Sequence, residues 1–349
     1  MSDRDPPGAV EAEDRASASP STPSSRQRFV EIDTLKTAGI VSVILIHSMR
    51  APWDPRVSDT ELALGAVTRF AVPAFLFCSG FLYATSKPIP WSVTRRRLKR
   101  VLVPYLVCSI AAQAWWLVQG QAHSLGTILD DLLLASSFGP YYYVFVHFFL
   151  VLLAPLFAIL PRTALAVLTG LLLGSQGWLE SRTGLILPVF WHIRNPLLWW
   201  GYFLLGWEIR IHYGEVRSFI TAHRSLLMGI LVLAVLGLSQ IAMTGGESEW
   251  YRGATWLCIH AIIALVFVST CGRKREPDTI AALSDASYAI YLLHLFFIYA
   301  IGGILQPDPG SFDLPVVAIE WSAGLFGSIS LIALSRRVLG RRSRDIIGA

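Results

Sequence analysis

The stretch Arg28-Phe-Val-Glu31-Ile-Asp33-Thr-Leu-Lys36-Thr-Ala-Gly-Ile-Val-Ser-Val-Ile-Leu-Ile-His47 decides how the chain is read. Between Lys36 and His47 it carries no charge, and with its flanks it approaches the roughly 20 mostly apolar residues that cross a bilayer as a helix. Yet Asp33, Lys36 and His47 lie inside it. An ionisable group at bilayer depth is costly unless partnered, so each marks a candidate site. At 100° per residue Lys36 and His47 come within roughly 20° of each other after three turns, and Asp33 shares their face. The polar stripe therefore runs along about 20 Å of helix axis, and the i, i+3 spacing lets Asp33 pair with Lys36.

The rest of the chain repeats this pattern. Of 349 residues 54% are hydrophobic and 15% charged, against about 25% charged in an average soluble domain. The mean hydropathy is +0.53. Twelve Trp and eleven Tyr suit a protein with rings at the hydrocarbon boundary. Ten spans are expected, at about 32–49, 62–85, 98–118, 141–160, 163–178, 196–211, 225–244, 253–271, 283–305 and 314–335. The fifth and sixth are the weakest, being short and flanked by His192, Arg194 and Asn195. The fold class is thus all-α, a polytopic transmembrane bundle of about ten helices over residues 28–338. Residues 1–27 read as a disordered tail and 339–349 as a basic one.

Charge sets the orientation. With ten spans and the N-terminus inside, about twenty Lys and Arg fall in cytoplasmic segments and about five in outer loops, a strong positive-inside signal. Both termini are then cytoplasmic. Basic clusters of this kind call for no nucleic-acid partner. The four cysteines form no CxxC pair and read as packed free thiols; no metal site is expected.

Other polar groups interrupt the apolar runs. Arg69 lies inside the second span, followed by Pro73, Ser79 and Gly80; its guanidinium is expected to face protein or water, with Pro73 and Gly80 allowing a kink or a close backbone approach. The segment Arg95-Arg96-Arg97-Leu98-Lys99-Arg100 precedes Pro104. If the third span opens near Leu98, Arg97 and Arg100 sit on its first turn, where free N–H groups and the helix dipole add to their charge and suit a polyphosphate. Tyr143 and His147 lie at i, i+4, as do Trp256 and His260, and Ser287, Tyr291 and His294 share a face; packing roles account for each.

Four of these segments together resemble the acyltransferase-3 family of polytopic acyltransferases, which includes O-antigen and exopolysaccharide O-acetylases and macrolide O-acylases. They are Ile32-Asp33-x-Leu35-Lys36 to His47, Val72-Pro73-x-Phe75 to Ser79-Gly80-Phe81, Arg97-x-x-Arg100 with Pro104, and Ser287-Tyr288-x-Ile290-Tyr291-Leu-Leu-His294. Lys36 stands where the family often has Arg, and Tyr142 where Trp is usual. Lys cannot form the bidentate bonds that Arg can. The resemblance implies a bacterial plasma-membrane enzyme that moves an acyl group, commonly acetyl, from coenzyme A to a hydroxyl of a carbohydrate or small natural product. On that reading Arg96, Arg97 and Arg100 hold the acyl-CoA, and His47 is the general base, aided by Lys36 and Asp33. Arg69, Ser79, Tyr143, Tyr291 and His294 would then contact substrate. The competing class is a transporter without acyl-transfer chemistry, which predicts paired broken helices in inverted repeats; neither is evident in the sequence.

Overall fold

The computed structural model describes residues 28–50, 54, 57–181, 191, 193–244, 249–305 and 312–348; the tail at residues 1–27 lies outside them. The described residues form helices and turns: α1 (Val30–His47), α2 (Asp59–Thr68), α3 (Ala71–Tyr83), α4 (Trp91–Val118), α5 (Leu125–Leu133), α6 (Tyr142–Ile159), α7 (Arg162–Ser181), α8 (Leu197–Ile211), α9 (Tyr213–Thr244), α10 (Glu249–Thr270), α11 (Asp278–Gly302), α12 (Leu314–Ser322), α13 (Ser328–Leu339) and α14 (Ser343–Ile347). A π-helical turn, Ala323–Gly327, joins α12 to α13. The ten expected spans correspond to α1, the α2–α3 pair, α4, α6, α7, α8, α9, α10, α11 and the α12–α13 unit. Seven stretches among the described residues are long and apolar enough to cross a membrane; the other three are α1, which carries three charges near its start, and α7 and α8.

Two sequence features correct the simple picture of straight rods. The second span is broken: α2 ends at Thr68 and α3 starts at Ala71. Pro73 has no N–H to offer the carbonyl of Arg69 and its ring crowds that carbonyl, which interrupts the hydrogen-bond ladder there, although Arg69 and Phe70 keep right-handed dihedrals. Ser58 and Glu61 start α2 with a reciprocal capping box, which satisfies two free N–H groups. In α9 the backbone leaves helical geometry at His223, just before the span expected from residue 225.

The most extensive helix contact pairs α3 with α8, and glycine makes it possible. A Cβ on Gly80 would lie 1.8 Å from the Phe203 carbonyl oxygen, and one on Gly206 would lie 2.0 Å from that of Phe77. The two glycines are reciprocal, each opposite the residue three positions before the other. Close backbone approach of this kind drives helix association in lipid, where burial of apolar surface against other apolar surface gains little. Around it Trp207, Tyr202, Phe77, Phe81 and Phe203 are fully buried, while Ile110, Leu117, Leu156, Val167 and Leu233 point outward as a lipid-facing surface requires. The four cysteines are free and buried.

The basic C-terminal segment carries a short helix. Residues 343–347 form α14, Ser343 and Ile347 are buried, and α14 packs on α4. Gly348 approaches Tyr288 and Pro104.

Gly80→Ala and Gly206→Ala should each lose about 2–3 kcal/mol or more through overpacking against backbone that cannot yield. The yield of monodisperse protein in detergent and its melting temperature check this; wild-type values for both variants would mean that the α3–α8 contact is not as close as described.

Candidate active site

Five helices, α1, α3, α4, α6 and α11, enclose a cavity of about 200 Å³. Its polar lining is Lys36, Ser79, Tyr143, His147, Ser287 and Tyr291, set among Phe75, Cys78, Leu82, Val101 and Tyr288. Each helix reaches the cavity for a local reason. Tyr288 donates to the Val101 carbonyl at 2.7 Å, which ties α11 to α4 beside Pro104. Tyr141 donates to the Leu292 carbonyl at 2.6 Å and Tyr291 to that of Pro140. These two buried bonds pin the middle of α11 to the turn before α6.

A file of rings runs past this cavity through the bundle. Arg97 lies over the Tyr83 ring at 4.0 Å, Tyr83 meets His147 at 6.1 Å, and His147 stacks on Tyr143 at 5.4 Å. Tyr143 meets Tyr291 at 5.4 Å, Tyr291 meets His294 at 6.2 Å, and His294 meets His47 at 5.4 Å. The cavity touches the middle of this file. His47 is the last residue of α1 and lies beyond the cavity wall, against His294, rather than on the wall itself.

The Asp33–Lys36 pair that the spacing allows is not made. Asp33 is claimed by Arg28 at 3.1 Å and by the Ser284 hydroxyl. Arg28 also reaches Glu276 at 2.9 Å and Asp285 at 3.0 Å, so one guanidinium gathers three carboxylates where α1 and α11 begin. Partial burial opposes the Arg28 charge, but the bonds to Asp285 and Asp33 outweigh it and raise its pKa. Burial, with Asp33 adding to it, pushes the Glu276 carboxyl up. Arg28 is a stronger partner than Lys36 because its planar fork can bind several carboxylates at once. Lys36 is left on the cavity wall, with no hydrogen bond or ion pair to any described residue.

The arginine cluster also departs from expectation. Helix α4 starts at Trp91, not near Leu98, because nothing between Trp91 and Arg97 breaks a helix. Arg96, Arg97 and Arg100 therefore lie in its second and third turns, and the free N–H groups and dipole of the helix start do not reach them. Arg97 turns inward to Tyr83, while Arg96 and Arg100 are exposed. Arg69 caps α2 at the helix break and is exposed. It is not on the cavity wall.

The π-helical turn positions the histidine pair. A Cβ on Gly324 would come within 2.9 Å of Ile44 and 3.1 Å of Ile298, and Trp321 donates to the Val41 carbonyl at 3.2 Å. This segment clasps α1 and α11 one turn from His47 and His294. π-Bulges frequently occur at functional sites.

The family model described as an acyltransferase domain of type 3 matches residues 29–336. The chain belongs to this family. It is similar to the protein named "Putative membrane-bound acyltransferase YfiQ" from Bacillus subtilis (strain 168), with 25% identity over 329 residues covering 86% of this chain and 89% of the relative. No solved structure matches it. In this acyltransferase-family membrane protein, sequence reasoning missed Tyr83 and gave His147 only a packing role; the position of Tyr83 at the end of α3, facing an arginine helix across a short loop, was the available signal.

Asp33→Asn should lower stability by about 1–3 kcal/mol, the cost of an unmatched charged hydrogen bond, because the amide keeps one acceptor oxygen for two donors, Arg28 and Ser284, and turns an NH2 toward the other while removing the charge. A melting curve in detergent checks it; an unchanged midpoint would mean that the three-carboxylate cluster does not hold α1 to α11.

Proposed function

We propose that this protein transfers an acyl group, commonly acetyl, from coenzyme A to a hydroxyl of a carbohydrate or small natural product. The observation that carries the reading is the cavity with Lys36 on its wall, lying between Arg97 at one end of a ring file and the His47–His294 pair at the other. In this reading the arginine-rich end faces the cytoplasm, as the loop charges argue. Arg96, Arg97 and Arg100 take the nucleotide phosphates by charge-assisted bonds. The pantetheine arm enters the cavity beside Ser79 and Tyr143, and the thioester reaches toward Tyr291.

His47 acts as general base. It takes the proton from the acceptor hydroxyl as that oxygen attacks the thioester carbonyl, and it returns the proton to the departing CoA sulfur. Lys36 offers positive charge to the carbonyl oxygen as it becomes negative, an effect that is large where water is excluded. Direct transfer needs no covalent acyl-enzyme. Because His47 is at the end of α1 opposite Arg28, donor and acceptor approach from opposite ends of the bundle. Asp33 supports the chemistry from a distance, by holding α1 on α11 and leaving Lys36 unpaired. Arg69, exposed near the His47 end, contributes at most to the acceptor's approach.

Purified protein in lipid, given acetyl-CoA labelled in the acetyl group and a panel of polyol acceptors, should release free CoA and move label into an acceptor. His47→Ala should lower kcat by about 10²-fold or more with the donor still bound. Arg97→Ala should raise the donor KM about tenfold or more. Full activity in the His47 variant would overturn the base assignment. Transport of label across vesicles without any acylated product would favour a transporter.

A further inference from the structure

His294 is fully buried, and its Nδ1 lies 2.8 Å from the Tyr291 carbonyl and 3.2 Å from that of Ile290. A carbonyl only accepts hydrogen bonds, so Nδ1 carries the hydrogen and Nε2 of the neutral ring is left as an acceptor. That Nε2 is buried with no partner among the described residues. A buried lone pair without a donor is costly and calls for an explanation. The nearby hydroxyls are already committed: Tyr141 donates to Leu292 and Tyr291 to Pro140. The polar ring nearest His294 is His47, at 5.4 Å between centroids and tilted by 42°. That separation admits a direct bond after a small ring rotation, or one bridging water.

We propose that His294 is a positioning residue that fixes the tautomer of His47: its Nε2 accepts one N–H of His47 and so leaves the other His47 nitrogen unprotonated and facing the acceptor hydroxyl. The inference rests on the reading of His47 as general base and adds what orients it. Without such a partner a neutral imidazole divides between two tautomers, of which one alone can take the proton. The logic is that of a buried group holding a catalytic histidine in its useful form, with a neutral ring in place of a carboxylate. The scaffold keeps the acceptor in place: α11 is pinned at Tyr291 and Leu292 by the two tyrosine bonds, and Gly324 packs between Ile44 of α1 and Ile298 of α11. During the reaction His47 gains the hydroxyl proton on its free nitrogen while its bonded N–H stays with His294, and no proton is transferred to His294.

The test uses the full-length protein in lipid with acetyl-CoA as donor and the acceptor found active above. His294→Leu removes the acceptor atom, whereas in His294→Gln the amide oxygen can occupy the place of Nε2. The expected result is a kcat about 100-fold lower for His294→Leu with donor KM within twofold of wild type, and a kcat within tenfold of wild type for His294→Gln. In ¹⁵N-histidine-labelled protein, solid-state NMR should show one dominant tautomer for His47 in the wild type and in His294→Gln, and a mixture in His294→Leu. Near wild-type kcat in His294→Leu, equal loss in folded Leu and Gln variants, or an unchanged tautomer ratio in His294→Leu would each overturn the inference while leaving His47 as base. An active His47→Ala variant would instead remove the reading beneath it. If His294→Leu does not fold, the kinetics and spectrum of His294→Gln decide alone: a tautomer mixture with a kcat loss beyond tenfold overturns the proposal, and wild-type behaviour supports it.

Discussion

The contact between α1 and α11 is the constraint on which the site depends. The two helices run in the same direction, which the cross-links near their two ends show: Asp33 meets Ser284, and His47 meets His294. Asp33, Thr37 and His47 of α1 all meet α11. At one end it gathers Arg28, Asp33, Glu276 and Asp285 into a charged clasp; at the other it brings two imidazoles together. Between them Lys36 turns to the cavity. In lipid such a pairing gains little from the hydrophobic effect, so specific polar bonds and close packing carry the association.

Packing supplies what polar bonds cannot. The Gly80–Gly206 crossing locks α3 to α8 with backbone nearly touching backbone, which fixes the helix that carries Phe75, Cys78, Ser79 and Tyr83. Gly324 does the same for α1 and α11 from the side of the π-turn. A cavity in a membrane protein persists only if its walls cannot collapse inward. Here rigid crossings flank it on two sides, and the hydroxyl bonds of Tyr141, Tyr291 and Tyr288 brace the rest.

Much of this was legible in the sequence, for identifiable reasons. Helical class, the spans and the polar face of α1 follow from apolar length and from 100° per residue, which are properties of single segments. What failed involved choices between segments. The i, i+3 spacing let Asp33 take Lys36, but Arg28 and Ser284, the latter 251 positions away, offered better geometry. The start of α4 was set too late because a charged first turn reads as a loop, although Trp91–Arg97 contains no breaker. Arg69, expected to face protein or water, is exposed at the break before Pro73 and does not line the cavity. The ring file, the π-turn and the pairing of two glycines across α3 and α8 are relations between distant parts of the chain, and one sequence does not express them.

The absence of an Asp33–Lys36 pair has a chemical consequence. Had Asp33 neutralised Lys36, the cavity would hold a salt bridge, and an incoming carbonyl would have to compete with a carboxylate for the ammonium. With Asp33 taken by Arg28, the Lys36 side chain faces the cavity without a carboxylate partner among the described residues. An unpaired cation in low dielectric is unfavourable for the empty protein, and its charge is worth most to whatever negative charge develops beside it. On the proposed role of Lys36, the cost falls on the ground state and the gain on a later, more anionic state, which is the condition under which an interaction accelerates a reaction rather than merely tightening binding. Arg28 therefore acts on the site without touching it, by withholding the counter-ion that would otherwise neutralise Lys36.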